Sequence, residues 1–200
     1  LWDLTAEELL GRAASGDPTP GGGAIAAVTA AFGLSLLQMA IEITIAVPES
    51  VTEHLSRLEM AQGKAQSLQR RMTKAVDRDV VEFEALMAGY RMPGDTGEEV
   101  ASRERAIAAA AVSATRGPLS LAEACVSAIA LGDELEPLVK SNIVSDVQAG
   151  RDLLRGAALA ALRTADINLA DLRTRGHPEA SVLQARRRAV DHQVLSQSGL

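Results

Sequence analysis

Aromatic residues are scarce in this chain: one Trp, one Tyr and two Phe make up 2% of its 200 residues. That scarcity removes the stacking platforms on which single-stranded nucleic acids are held. Lysine is also rare, three against seventeen Arg, and 26 acidic residues against 20 basic ones leave a formal charge of −6. The basic face that nucleic-acid binding needs is missing, so no nucleic-acid partner is expected. A single cysteine, Cys125, excludes an internal disulfide framework, and His54, His177 and His192 are too scattered to form a zinc-ligand pattern, so no metal site is expected. The opening Leu1-Trp2 shows neither a charged leader nor a small-residue cleavage site, and the cytoplasm is the expected compartment.

β-Branched alternating runs bounded by turn signals are rare too, while Ala, Leu, Arg and Glu dominate at helical spacing. The pattern predicts an all-α protein: one domain over residues 1–200, an antiparallel bundle of about seven helices around a buried Ala/Gly-rich central helix. Thr5-Ala6-Glu7-Glu8, Ser50-Val51-Thr52-Glu53 and Thr96-Gly97-Glu98-Glu99 read as helix starts, because a Thr or Ser hydroxyl and a Glu three residues on can satisfy each other's backbone donors. The first helix is expected to reach about Ala14, the third about Tyr90. Gly117-Pro118 reads as a break that ends the fourth helix and opens a fifth. A sixth stretch is expected from about Asp133 to Leu172 with a break near Ser141-Asn142, and Gly176-His177-Pro178 sets off the last helix.

The central helix, from Gly22 to about Val47, is nearly all small or apolar. It is long enough to cross a membrane. Ala is weakly hydrophobic, Gln38 and Glu42 fall inside, and no second span follows, so a core helix is the expected reading and no membrane partner is assigned.

Three runs can carry chemistry. Pro18-Thr19-Pro20-Gly21-Gly22-Gly23 strips side chains from a helix entrance, where free N–H groups and the positive dipole end receive an anion or electron-rich ligand; equally, the glycines serve a tight turn and close packing. It is not a phosphate-binding P-loop, since Gly22-Gly23 stand where Lys and Ser or Thr are required. Asn142-Ile143-Val144-Ser145-Asp146 puts polar groups within one turn of an apolar stretch, as a site or as a helix cap. Asp79, with Phe83 one turn on, is an Asp in mid-helix that needs an explanation if buried, whereas Asp77 and Glu82 read as solvated and Arg78 as a partner of Glu82. Asn168 lies 22 residues past Asp146 and need not share a site with it. Cys125 reads as a small core residue, and Arg186-Arg187-Arg188 as a solvated or oligomer-contacting face.

Taken in order, Pro18 to Gly23, Asp79 to Phe83, Tyr90-Arg91-Met92-Pro93, Pro118-Leu119, Asn142 to Asp146 and Ile167-Asn168-Leu169 resemble the cyclodeaminase/cyclohydrolase family, over about residues 3–172. That family includes the cyclodeaminase domain of formiminotransferase-cyclodeaminase and the stand-alone methenyltetrahydrofolate cyclohydrolases. The resemblance implies an all-helical subunit in at least a homodimer, with a ligand groove near the subunit interface. It also implies proton-transfer chemistry at the one-carbon unit of tetrahydrofolate, with a small-molecule substrate and no cofactor beyond that folate. By motif position, Asp146 and Asp79 are the catalytic candidates. Pro20, Gly21, Gly22, Gly23, Asn142, Ser145 and Asn168 are the substrate-binding candidates.

Departures from the pattern define the alternatives. Ile43-Thr44-Ile45-Ala46-Val47-Pro48 stands where the family usually has Leu-Thr-x-Gly-Lys-Lys, and Ala24, Ser141 and Thr164 replace a small residue or Ser, a Gly and an Asn. Loss of the two cations favours a relative repurposed for cyclisation or C–N hydrolysis of a non-folate substrate. A catalytically silent interaction module is the other alternative, and the retained Asp79, Asn142, Ser145 and Asp146 argue against it.

Overall fold

A computed structural model describes residues 1–46 and 54–196. Among the described residues there are six helices and no strand: α1 (Ala6–Ala13), α2 (Gly22–Ile45), α3 (Leu55–Tyr90), α4 (Gly97–Leu135), α5 (Val144–Thr174) and α6 (Ala180–Ser196). Two expected capping boxes are present. Thr5 and Thr96 each accept from the backbone N–H three residues on, and Glu8 and Glu99 reach back to the cap N–H. The Ser50-Val51-Thr52-Glu53 box and the Pro48 stop lie outside the described residues.

The helix count falls short of seven because α4 runs straight through Pro118. A proline in mid-helix withdraws the N–H that would bond the carbonyl four residues back, here Ala114. Asn168 of α5 supplies the missing donor: its Nδ2 donates to the Ala114 carbonyl at 3.1 Å. The actual break comes later, over residues 136–143, which join α4 to α5. At the other end of α5 the chain stops on a Schellman turn. Gly176 takes φ +63°, its N–H donates to Arg173 and the His177 N–H donates to Leu172.

Helices α2 to α5 enclose the core, with α2 against α3 and α5, and α4 against α3 and α5. Helices α2 and α5 run in opposite directions: Gly22 faces Thr164 while Gly33 faces Gly150. The Gly33–Gly150 crossing is backbone on backbone, since a Cβ on either residue would sit within 2.8 Å of the other's carbonyl oxygen. Only glycine at both positions allows α2 to approach α5 this closely. Leu34, Leu37, Ile41, Leu119, Ile129, Leu154 and Leu162 fill the space between them, all but completely buried, and Cys125 is among them.

Helix α2 is the one described helix long and apolar enough to cross a membrane, and 61% of its apolar window is buried inside the fold, as a core helix requires. The arginine run on α6 is not free surface as a whole. Arg186 pairs with Glu123 and Ser120 of α4, and Arg187 forks onto Asp166 of α5 and also reaches Asp191, so these two residues fasten α6 to its neighbours.

Candidate active site

The run of three glycines meets Asp79. Helix α2 starts at Gly22 after Gly21 as N-cap, and no α2 side chain caps its free N–H groups. Asp79, reaching over from α3, accepts from the Ala24 N–H instead. The carboxylate comes so close that a Cβ on Gly23 would lie 2.0 Å from Asp79 Oδ1. Gly23 is therefore glycine because a carboxylate occupies the space where its side chain would be. Burial pushes the Asp79 carboxyl above the ordinary carboxylate range; the Ala24 N–H pulls the other way, and the negative charge of Glu82 raises it further.

One turn along α3, Glu82 is 7% exposed rather than solvated. Its Oε1 accepts from Arg78 Nε at 2.7 Å and from Ser113 Oγ of α4 at 2.8 Å. Its Oε2 lies where a Cβ on Gly117 would come within 2.2 Å. The expected Arg78–Glu82 pair is present, but the solvated reading fails because α4 covers this face of α3. The signal that finds Glu82 is its spacing: residues 79, 82 and 83 share one helical face, so the turn of α3 that points Asp79 and Phe83 inward brings Glu82 in with them.

These groups line a cavity of about 190 Å³ bounded by Pro18, Thr19, Gly21, Gly22, Gly23, Asp79, Glu82, Phe83, Leu86, Ala114, Thr164 and Asn168. Phe83 and Leu86 give it an apolar wall, and the glycines give it a floor of bare backbone. Pro20 is buried beneath that floor and does not line it. Asn168 faces the cavity, but its amide already serves Ala114. Leu86, Ser113 and Ala114 escaped the sequence reading, since nothing local marks them, and Gly117 reads there only as a helix break; the α3–α4 packing brings them in. Among the described residues, no three His, Cys, Asp or Glu side chains converge as metal ligands.

The remaining candidates lie elsewhere. Asn142, Ser145 and Asp146 sit at the start of α5, about 33 Å along the helix from Asn168 at 1.5 Å per residue. Neither Asn142 nor Ser145 caps the helix; the N-cap is Ile143, without a side-chain bond. Asn142 and Ser145 are exposed and Asp146 half-buried. One chain therefore gathers the glycines, Asp79 and Asn168 at one end of α2–α5 and the Asn142–Asp146 cluster at the other.

Comparison with known proteins gives the family. The formiminotransferase-cyclodeaminase family matches residues 5–185. The chain belongs to that family. It is 36% identical over 165 residues to a methenyltetrahydrofolate cyclohydrolase of Methylorubrum extorquens, covering 82% of this chain and 77% of that protein. It is 30% identical over 154 residues to the formimidoyltransferase-cyclodeaminase of Sus scrofa, covering 76% of this chain but 28% of the pig protein. The crystal structure of a formiminotetrahydrofolate cyclodeaminase from Thermotoga maritima has the same fold, with a TM-score of 0.73 at 19% identity, covering 97% of this chain and 95% of that one. Within the formiminotransferase-cyclodeaminase family, then, this chain builds a cleft around a desolvated aspartate held in a glycine cradle.

Proposed function

We propose that the protein is a methenyltetrahydrofolate cyclohydrolase, opening the 5,10-methenyl bridge of tetrahydrofolate to the 10-formyl form. The observation that carries this reading is Asp79: a half-buried carboxylate in an apolar-walled cleft, with its proton affinity raised and bare backbone beside it. The methenyl carbon is a cation flanked by two nitrogens, and its hydrolysis needs a group that takes a proton from water and later returns one to the departing nitrogen. A carboxylate shifted toward neutrality suits both steps. The carboxylate also stabilises the cationic ring in the cleft, and Phe83 offers that flat ring an apolar face. The 36% identical relative named a methenyltetrahydrofolate cyclohydrolase, matched over most of its own length, favours hydrolysis over ammonia loss from the 5-formimino form.

The working unit is at least a dimer. On α2, Phe32, Met39 and Ile43 are 62%, 37% and 41% exposed and share one helical stripe, with exposed Leu153 of α5 beside it. A contiguous apolar strip of this kind is the mark of a protein contact. It lies toward the Asn142–Asp146 end of the α2–α5 pair. Antiparallel pairing of two such faces, centred on this strip, sets the Asn142–Asp146 ends of two copies beside each other, which gives Asn142, Ser145 and Asp146 a place at the contact. The cytoplasm is the compartment that fits a folate enzyme with one unpaired, buried cysteine.

The test is loss of 5,10-methenyl-tetrahydrofolate absorbance with purified protein, against the buffer rate and against ammonia release from 5-formimino-tetrahydrofolate. Acceleration of the first reaction alone supports the cyclohydrolase. Acceleration of the second alone makes the protein a cyclodeaminase. Acceleration of neither, by folded protein, favours a relative acting on a non-folate substrate.

A further inference from the structure

Adjoining the cleft, and sharing Gly23, Asp79 and Glu82 with it, is a second, smaller cavity completed by Ala75, Arg78, Gly117, Pro118 and Leu121. Its volume is about 20 Å³. That is the room one water molecule needs, provided two or more polar partners face it. The partners are at hand. Glu82 Oε1 is taken by Arg78 and Ser113, which leaves Oε2 on the Gly117 side, against this cavity. Gly117 thus stands to Glu82 as Gly23 stands to Asp79: each glycine clears the room for one carboxylate oxygen. Two such clearances around neighbouring acids on one helix face are more than packing needs. A Cβ at either position would fill the space without leaving a buried carboxylate there, and buried carboxylates are costly unless paired.

From this geometry we infer that Glu82 is a positioning residue of the site, whose free oxygen holds the attacking water against Asp79 while Arg78 and Ser113 fix the Glu82 carboxylate. The inference rests on the hydrolytic reading above. In the step it serves, the water oxygen forms a bond to the methenyl carbon, the C=N π pair moves onto nitrogen, and the water proton passes to Asp79. The carbon–N5 bond then breaks with its electron pair on N5, which takes the proton from Asp79. The new hydroxyl loses its proton to solvent and becomes the formyl oxygen on N10. One cation and one water give a neutral product and one proton.

Glu82 has a second effect on the same step. Its charge raises the proton affinity of Asp79, against the Ala24 N–H, which lowers it. Helix α3 brings Arg78, which is bound to Glu82; α2 brings the Ala24 N–H; α4 brings Ser113 and Gly117; α5 brings Thr164 and Asn168. Removing the Glu82 charge therefore moves the acidic limb of kcat/KM, set by Asp79, to lower pH.

The experiment is the pH profile of methenyltetrahydrofolate hydrolysis by wild type and Glu82→Gln, with kcat and KM separated. The expected result is a kcat lowered about 10-fold or more, below the full loss of a general base, with KM nearly unchanged and the acidic limb displaced to lower pH. An unchanged kcat and an unmoved limb in Glu82→Gln, with wild type active, would overturn the role of Glu82 and leave the cyclohydrolase reading standing. Wild type without turnover contradicts both. If Glu82→Gln does not fold, Gly117→Ala pushes on the same oxygen from α4, and a folded Gly117→Ala variant with unaltered kcat would equally overturn the role.

Discussion

Gly23 and Asp79 are fitted to each other: the carboxylate oxygen lies 2.0 Å from where a Gly23 Cβ would stand. Of the two uses the glycine run can have, turn-making and ligand approach, this contact adds a third, the seating of an acid. Gly23→Ala must displace Asp79 or shift the start of α2. The expected cost is about 1–3 kcal/mol of stability, measured by denaturant unfolding, together with a large loss of turnover. Gly16→Ala, where a Cβ meets nothing within 4 Å, is the control and is expected to change neither.

Asp79 also sets a pH dependence of stability. Its folded-state proton affinity is raised, so the native state binds more protons than the unfolded one between the ordinary carboxylate pKa and the raised value. Stability attributable to Asp79 therefore falls as pH rises through that window. Asp79→Asn removes the half-buried charge and keeps an acceptor for the Ala24 N–H. Its melting temperature at pH 7 is expected to equal or exceed that of wild type, with the difference closing below about pH 4. A variant markedly less stable than wild type at pH 7 would mean that the ionised form is what the fold favours.

Asn168 and Pro118 are coupled through the Ala114 carbonyl. Asn168→Ala leaves that carbonyl without its donor inside the protein, a loss of about 1–3 kcal/mol. Pro118→Ala restores a backbone N–H to α4, so in that background Asn168→Ala is expected to cost clearly less. A double-mutant cycle by chemical denaturation measures the coupling, and strict additivity would show that the bond carries no weight.

The exposed stripe on α2 makes a prediction about assembly. Phe32→Glu combined with Met39→Glu is expected to reduce the mass in light scattering to that of one chain, with helicity retained. A mass of two chains retained by this variant would place the contact on another face.

Much of this was readable from the sequence where the signal is local. The Thr5 and Thr96 boxes, the Gly176 stop and the small core environment of Cys125 need only a few neighbouring residues to be recognised. The environment of Cys125 has a chemical consequence: burial pushes the thiol up to about 12, so it should resist alkylation until the protein unfolds. What failed was non-local. Pro118 reads as a break because its rescuer, Asn168, is on another helix. Glu82 reads as solvated because its cover, Ser113 and Gly117, belongs to α4. Arg186 and Arg187 read as a solvated or oligomer-contacting face because their partners, Glu123 and Asp166, are more than 20 residues away in sequence. Asp79 stands out as an acid in mid-helix that needs a partner, and the structure sets it against the glycine run and the Ala24 N–H.

The most direct test of an Asp79-centred cyclohydrolase is the rate of 5,10-methenyl-tetrahydrofolate hydrolysis by Asp79→Asn beside wild type, at one pH and with both proteins shown to be folded. Loss of a general base is expected to lower kcat by about 10²- to 10⁴-fold. Wild-type turnover in the folded Asp79→Asn protein would contradict it and place the chemistry elsewhere in the molecule.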